Sequence, residues 1–403
     1  MPEFLNDKAI DKRLNPIVQR QEQISLWVIE KIARRIRRIG EMIPSDIHAL
    51  EIMLEVGGDV REINKEIAIQ TAQNEKAIKK MIKDTAKNIY VNAKPYYDYM
   101  KKPFIPYSQN EPLQQTVNAI ANETAGTYTN MSKAQAFLLR SPTNPKAFQP
   151  PSTVAQTYQK AVDLAIQSAQ SGITDYNTAM RRTLDGLVNS GLQTVTYQTE
   201  KGRIHHQRLD TAVRRNVLSG IRMVNQAVQE EVGKEIDADG VEISVHSYPA
   251  PDHAPIQGHQ FAKDEFDKMQ NSEPFKDVDG LTYAPIDRHI TELNCRHYTF
   301  SIILGINTPN YSKEELQAIL ERNEKGYTFP NGSHLTMYQC TQKQRDYELK
   351  IRRTREKIRI ATAANDPVMQ ATNEARLKQL IQEYRQFSKA CGLKAYWDKT
   401  TIV

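Results

Sequence analysis

The chain has 403 residues, of which 39% are hydrophobic and 25% are charged, and its formal net charge is +6. This length suggests two or three domains, and the composition is ordinary for a soluble, helix-rich protein. The three cysteines, Cys295, Cys340 and Cys391, indicate reduced thiols made in a cytoplasm and exclude a disulfide framework. The N-terminus lacks a secretion-signal pattern, and no apolar run approaches the ~18 residues that span a bilayer.

The N-terminal third of the chain is predicted to be helical. Residues 16–40 repeat apolar side chains at helical spacing and carry basic side chains on the other side. A short helix after Pro44 is predicted to stop at Gly57 and Gly58, and a long helix then runs to about residue 93. That second helix would measure ~50 Å. The basic side either contacts an acidic partner or DNA or is simply solvated; its candidate contacts are Arg34, Arg35 and Arg38.

An aromatic segment with prolines follows the long helix. Its candidate contact residues are Tyr97, Tyr99, Phe104 and Tyr107. Because tyrosine buries a large area at low entropic cost, such a segment predicts a partner interface. The alternative is a turn that packs on its own helix. Four prolines between residues 142 and 151 then mark a linker.

The middle of the chain predicts a small α+β unit. A helix that begins at Asp210 leads to residues 241–246, whose alternation of apolar and polar residues predicts a half-buried strand. Pro251 and Pro255 then predict a stiff, extended loop around His253. A short helix and a strongly apolar strand at residues 298–304 complete the unit.

The last part of the chain predicts a helical hairpin. Residues 335–362 form a helix dense in basic side chains, and a second helix ends at Cys391 before Gly392. The basic face would lie on DNA or an acidic protein surface, or it would be solvated; its candidate contacts are Arg352, Arg353 and Arg355.

The predicted fold class is therefore mainly α, with a small α+β central domain. Residues 1–151 form a long helical N-terminal region with the aromatic segment. Residues 152–330 form a helical lead-in and the α+β core, and residues 331–403 form the basic C-terminal helical hairpin.

Nitrogen and sulfur ligands gather around the two central strands. His246, His253, Cys295 and His297 are a candidate structural zinc site, since imidazole and thiolate are the ligands that zinc prefers. Cys295 and His297 are two apart on an extended backbone and so point the same way. The alternative is a polar network in which Arg296 and the imidazoles hydrogen-bond to free carbonyl groups.

A second chemical reading is a metal-dependent nuclease. Asp252 and His253 resemble the first motif of the His-Asn-His nucleases, in which the histidine activates water, and Asn294 and His297 would serve as later members. The spacing departs from that family, because the gap after His253 is too long and the last two residues are too close together.

Four stretches carry a wider resemblance, and they occur in order over roughly residues 90–360. They are Pro103 to Glu111; Arg208 to Leu218; His253 and Gln257-Gly258 followed by Asn294-Cys295-Arg296-His297 before the apolar strand; and Thr336 to Arg345. Together they resemble the phage minor capsid protein 2 family, which is akin to the Mu F-type head morphogenesis proteins.

The resemblance implies a non-enzymatic minor head protein of a tailed bacteriophage. Such a protein would associate with the portal protein and other head proteins during assembly in the host cytoplasm, and it would reside in the virion head. The basic helices add packaged DNA as a candidate partner. No membrane, small-molecule substrate or cofactor is expected, apart from the candidate zinc.

Overall fold

The structure is a computed structural model that describes residues 5, 7–42, 48–139, 149–171, 176–198, 204–286, 288–291, 295 and 297–402. The chain divides into two compact units, each assembled from three stretches of sequence. The first unit comprises Met1–Leu14, Lys76–Thr127 and Arg215–Lys343, and the second unit comprises Asn15–Glu75, Tyr128–Arg214 and Gln344–Val403. The division at residues 151 and 330 stays a prediction.

Helix α1 (Asp7–Gly40) carries the predicted apolar stripe, and Ile24, Val28 and Ile32 are buried. It begins at Asp7 rather than at residue 16, so Pro16 lies inside the helix instead of at its start. A proline in a helix interior costs ~3 kcal/mol. The buried side chains along this helix offset that cost, since each contributes ~1.5–3 kcal/mol.

Helix α2 (Ala49–Asn92) is one continuous helix of 44 residues, so the predicted stop at Gly57 and Gly58 is wrong. A glycine in a helix interior costs only ~1 kcal/mol relative to alanine. Apolar side chains on both sides of the glycine pair are buried, namely Ile52, Val56 and Ile63. Their burial stabilises the continuous helix. At 1.5 Å per residue the helix measures ~66 Å.

The chain then turns through short elements before the next long helix. Helix α3 (Lys94–Tyr99) and a 3-10 turn at Tyr107–Gln109 precede helix α4 (Glu111–Lys133). Tyr90 on α2 donates a hydrogen bond to the carbonyl oxygen of Ile105 over 2.9 Å and thereby fixes this connection.

The predicted α+β unit is present within the first unit. Helix α7 (Leu209–Glu235) leads to strand β3 (Gly240–Ile243), which pairs antiparallel with β4 (Gln260–Ala262) on one side and with β7 (Thr299–Ile302) on the other. On α7, Asn225 donates to the carbonyl oxygen of Thr299 over 3.0 Å, which fixes the helix against the sheet. The smaller elements nearby are α8 (Lys263–Gln270), β5 (Phe275–Lys276), β6 (Thr282–Tyr283), α9 (Lys313–Lys325), β8 (Tyr327–Thr328) and β9 (His334–Leu335).

Strand β3 is buried throughout, so the prediction of a half-buried strand is wrong. The polar residue Glu242 is also buried and accepts a hydrogen bond from Gln260 over 2.8 Å and another from Asn310. The two neighbouring strands pair its backbone, and Ile243 packs in a hydrophobic cluster with Phe261. Alternation alone indicates that the strand has two chemically different faces, but not that one of them meets water.

The second unit contains helices α5 (Val154–Ser171) and α6 (Tyr176–Ser190) and an antiparallel hairpin of β1 (Gln193–Gln198) and β2 (Ile204–Arg208), which the sequence did not predict. The predicted C-terminal hairpin is confirmed as α10 (Met337–Ala363) and α11 (Pro367–Ala390). Ile351, Leu380 and Tyr384 form its buried contact. The described chain is thus mainly helical with small sheets, as predicted.

Among the described residues, every helix is too short or too polar to cross a lipid bilayer.

Candidate metal centre

The loop between β3 and β4 positions His253. It is a series of tight turns rather than the predicted extended segment: the N–H groups of His253 and Ala254 both donate to the carbonyl oxygen of Ala250, and that of Gln257 donates to the carbonyl oxygen of His253. A proline needs no backbone donor at the first position of a helical turn, so Pro251 is compatible with this geometry. Pro251 thus begins a turn instead of stretching the chain.

Gly258 closes the loop against the sheet. Its N–H donates to the carbonyl oxygen of Ile243 over 2.9 Å, and its φ of +75° lies in the left-handed region. A Cβ there would stand 2.7 Å from a methyl carbon of Val245 and 2.5 Å from one of Leu316. Glycine is therefore required at this position, which returns the chain to β4.

Cys295 and His297 lie just before β7, beside the loop. The carbonyl oxygen of Cys295 accepts a hydrogen bond of 2.5 Å from Arg222 on α7, and Cys295 itself belongs to the hydrophobic cluster around Ile243 and Phe261. The predicted same-side placement of Cys295 and His297 is found, since their Sγ and Nδ1 atoms are 3.5 Å apart.

Three of the four predicted ligands converge. The Sγ of Cys295 is 3.6 Å from Nδ1 of His253 and 3.5 Å from Nδ1 of His297. One donor atom from each residue lies within 4.8 Å of the other two. His253, Cys295 and His297 are only 0%, 1% and 3% exposed, so the group is enclosed by protein.

The hydrogen bonds of the two imidazoles fix which nitrogen carries a proton. Nε2 of His253 is 2.7 Å from the carbonyl oxygen of Arg288, which can only accept, so Nε2 donates. Nε2 of His297 is 3.3 Å from Oε1 of Gln257. That amide is itself oriented, because Oε1 accepts from the N–H of His246 and Nε2 donates to the carbonyl oxygen of His246. In both neutral rings Nδ1 is therefore the bare nitrogen, and both face Cys295.

The electrostatics favour neutral groups in this cluster. Burial lowers the pKa of His253, although its hydrogen bond to Arg288 opposes the shift. Burial also lowers the pKa of His297 well below its ordinary value, and the imidazoles of His246 and His253 add to that effect. Burial raises the pKa of the Cys295 thiol. Neutral imidazole is the form that binds a metal ion.

The fourth predicted ligand stands beside the group. His246 lies edge-on to His297, with ring centroids 4.5 Å apart, and it does not belong to the convergent set of three. Asn294 and Arg296 lie outside the described residues, so the network that the sequence predicted around Arg296 stays a prediction.

Asp252 and His253, the first motif of the nuclease interpretation, are engaged in internal bonds. The carboxylate of Asp252 receives two hydrogen bonds from Arg288, of 3.0 and 2.9 Å. His253 is buried and donates to a carbonyl group, whereas a general base must reach the proton that it abstracts. This geometry favours a structural role for the loop.

The four residues of the predicted aromatic interface differ in their exposure to solvent. Tyr97 is buried, and Phe104 and Tyr107 are half-buried, with ring centroids of Phe104 5.0 Å and of Tyr107 6.0 Å from that of Tyr90. The hydroxyl of Tyr97 also donates to Glu235. Tyr99 is 67% exposed, so it alone of the four points mainly to solvent.

The N-terminal arginines form ion pairs within the second unit. Arg35 is mostly buried and contacts Glu55 and Asp59, with 2.7 Å between its guanidinium and Asp59. Arg38 is exposed and lies 3.2 Å from Glu55. Arg34 is likewise exposed and lies 3.2 Å from Glu30.

The arginines of α10 separate in the same way. Arg352 contacts Glu22 and lies 3.4 Å from Asp210. Arg353 is exposed and Arg355 is half-buried, and neither has an ion pair among the described residues. If this helix contacts a partner, Arg353 and Arg355 are better placed than Arg352 to make that contact.

Sequence reasoning did not assign roles to several residues that build these sites. Gln257 appeared only as part of a motif, yet its side chain orients His297. Arg208 holds Glu356 through two hydrogen bonds of 3.2 and 3.0 Å. The available signals were the motifs that contain these residues, namely Gln257-Gly258 and the stretch that begins at Arg208.

Comparison with known proteins supplies the family. The chain matches the family model described as phage minor capsid protein 2 over residues 5–389. No curated protein and no solved structure matches the chain. The match covers nearly the whole chain and confirms the resemblance carried by the four sequence stretches. The chain therefore belongs to the phage minor capsid protein 2 family and is a structural protein of a phage head.

Proposed function

We propose that this capsid protein associates with the portal vertex during head assembly in the host cytoplasm, and that it acts there without catalysing a reaction. The observation that carries the proposal is the family match over residues 5–389. The enclosed histidine–cysteine group supports a non-enzymatic role, because its donor atoms are buried rather than presented to a substrate.

Exposed apolar side chains around the end of α2 in the first unit support a protein partner. Val91, Tyr96, Tyr99 and Ile105 are each between 38% and 67% exposed, and they lie at the end of α2, on α3 and in the following loop. The aromatic packing of Tyr90, Tyr97 and Phe104 beneath supports this stretch of chain. Exposed aromatic residues on a rigid support are typical centres of protein interfaces.

The portal association is tested by co-sedimentation of the purified protein with portal rings. We expect the wild-type chain to sediment with the rings, and Tyr99→Ala to weaken binding by ~10-fold or more, as at an interface hot spot. Tyr396→Ala is the matched control, because Tyr396 is also exposed but belongs to the second unit. Absence of wild-type binding, together with absence of the protein from purified heads, would refute the proposal.

Contact with packaged DNA is the finer part of the proposal, and the arginines of α10 support it. Arg353 and Arg355 carry positive charge that no ion pair among the described residues neutralises. Each phosphate contact that is lost should reduce the dependence of log affinity on log salt by ~0.9.

The DNA contact is tested by measuring affinity for duplex DNA at several salt concentrations. We expect the double variant Arg353→Ala, Arg355→Ala to bind more weakly and with a shallower salt slope. Arg37→Ala is the control, because Arg37 is exposed but paired with Glu41 at 2.8 Å. Equal slopes in the wild type and the double variant would remove α10 from the DNA contact.

A further inference from the structure

We propose that His253, Cys295 and His297 bind one zinc ion through Nδ1, Sγ and Nδ1, and that this ion joins the β3–β4 loop to the entry of β7. The ion would be structural: its ligands come from two segments about forty residues apart in sequence and are enclosed by the sheet and its hydrophobic cluster.

The first argument is geometric. Zinc binds thiolate sulfur at ~2.3 Å and imidazole nitrogen at ~2.0–2.1 Å, and at a tetrahedral angle these lengths place sulfur and nitrogen about 3.5 Å apart. The two observed separations from the Cys295 Sγ are 3.6 and 3.5 Å. The donor atoms already stand at the spacing of two edges of a zinc tetrahedron.

The second argument counts protons. Because Nε2 of His253 donates to Arg288 and Nε2 of His297 donates to Gln257, both Nδ1 atoms are acceptors. A thiol has one proton, so Cys295 can satisfy only one of the two nitrogens that face it. A cation that is bound by the thiolate and the two neutral imidazoles gives all three ligand atoms a partner at once. A buried acceptor without a partner costs ~1–3 kcal/mol.

The surrounding hydrogen bonds are those of a metal site. Ligating histidines usually donate their second ring N–H to a carbonyl or a carboxyl group, which fixes the ring and its tautomer. Here a backbone carbonyl accepts from His253, and the oxygen of an amide group that is itself held by two backbone hydrogen bonds accepts from His297. One thiolate and two imidazoles select a borderline-soft divalent ion, which indicates zinc rather than magnesium or calcium.

The test is elemental analysis of the full-length chain purified without chelator. We expect one zinc ion per chain in the wild type and in Cys340→Ser, and almost none in Cys295→Ser. Cys340→Ser is the matched control, because Cys340 is also a buried cysteine but lies outside the cluster. Equal zinc in Cys295→Ser and the wild type would overturn the proposal.

A second measurement does not depend on a variant that folds. The metal-depleted wild-type chain is titrated with Co²⁺, which replaces zinc and is visible. We expect a thiolate-to-cobalt charge-transfer band that saturates at one ion per chain. A wild-type chain that holds no zinc and gives no such band, while its circular dichroism shows it folded, would overturn the proposal as well.

Discussion

Two regions of this protein bury polar side chains, and the two regions differ in whether those side chains find all their partners within the chain. In the second unit, Arg208, Asp210, Arg352 and Glu356 form a charged network in which each cation meets a buried anion. In the first unit, the histidine–cysteine group consists of a thiol and two neutral imidazoles whose Sγ and Nδ1 atoms face one another. In the charged network, every charge is paired with another side chain of the protein. The histidine–cysteine group has more hydrogen-bond acceptors than protons, which indicates that it binds a cation.

The difference also appears in the pKa values. Burial alone would raise the pKa of Asp210, yet Arg208 and Arg352 hold it below its ordinary value. At Cys295, two backbone hydrogen bonds and nearby arginines favour the thiolate, but burial outweighs them and raises the pKa of the thiol. A charge paired within the chain stays charged, and a ligand without its metal stays neutral.

The largest predicted effect comes from breaking the charged network. Arg208→Met leaves Glu356, which is 2% exposed, without its two hydrogen bonds, so we expect the free energy of unfolding to fall by ~3–5 kcal/mol. Denaturant unfolding of the purified variant measures the change. Arg353→Met, on the exposed side of α10, should change stability by less than ~0.5 kcal/mol.

A double variant separates charge burial from packing. Arg208→Met combined with Glu356→Met removes both charges and keeps apolar volume, so it should recover much of the loss. If Arg208→Met alone were as stable as the wild type, the network would not be the stabilising element that the comparison requires.

Sequence patterns predicted the local features of both regions but not their long-range partners. The helical hairpin followed from the apolar spacing of α10 and α11 and the break at Asp366-Pro367. Arg352 looked like a DNA contact because its neighbours in sequence are basic. Its partner Glu22 lies far away in sequence, and no local pattern identifies such a pair.

The candidate metal group was more accessible to sequence reasoning. Histidine and cysteine are sparse in this chain, so their clustering around two predicted strands was informative. The sequence could not indicate which three of the four candidates converge, because the turns that bring His253 to Cys295 are not visible in the sequence pattern. Likewise, Tyr97 and Tyr99 look equivalent as letters, but the turn of α3 buries one and exposes the other.

The second prediction concerns the hydrogen bond that orients His297 in the histidine–cysteine group. Gln257→Leu keeps all three proposed ligands but removes the acceptor for Nε2 of His297. We expect zinc affinity to fall ~10–100-fold while the binding stoichiometry at saturation is kept. Competition with a chromophoric chelator measures the affinity.

Gln270→Leu is the matched control for that variant. The amide of Gln270 pairs with both backbone groups of Ile290, at 3.0 and 3.1 Å, just as Gln257 pairs with His246, but it touches no imidazole of the group. Equal losses of affinity in the two variants would mean that general loosening of the fold, rather than orientation of His297, sets the affinity.

The smallest predicted effect concerns a paired carboxylate elsewhere in the second unit. Asp366 caps α11 by accepting from the N–H of Met369, and Arg181 donates to it over 3.0 Å. Burial alone would raise the pKa of Asp366, but these hydrogen bonds outweigh burial and lower that pKa. A lowered pKa gives stability that is present above the ordinary value near 4 and is lost as the pH falls through the folded value.

Asp366→Asn tests this linkage, because asparagine also caps a helix but carries no charge. We expect the variant to be ~1 kcal/mol less stable at pH 7 and to lose less stability than the wild type between about pH 5 and pH 2. Unfolding curves at several pH values measure both quantities. Asp84→Asn, at an exposed site on α2, should keep the wild-type slope. Parallel acid limbs for the wild type and Asp366→Asn would show that this ion pair does not contribute to acid sensitivity. The contrast would then hold only for the deeply buried charges around Arg208.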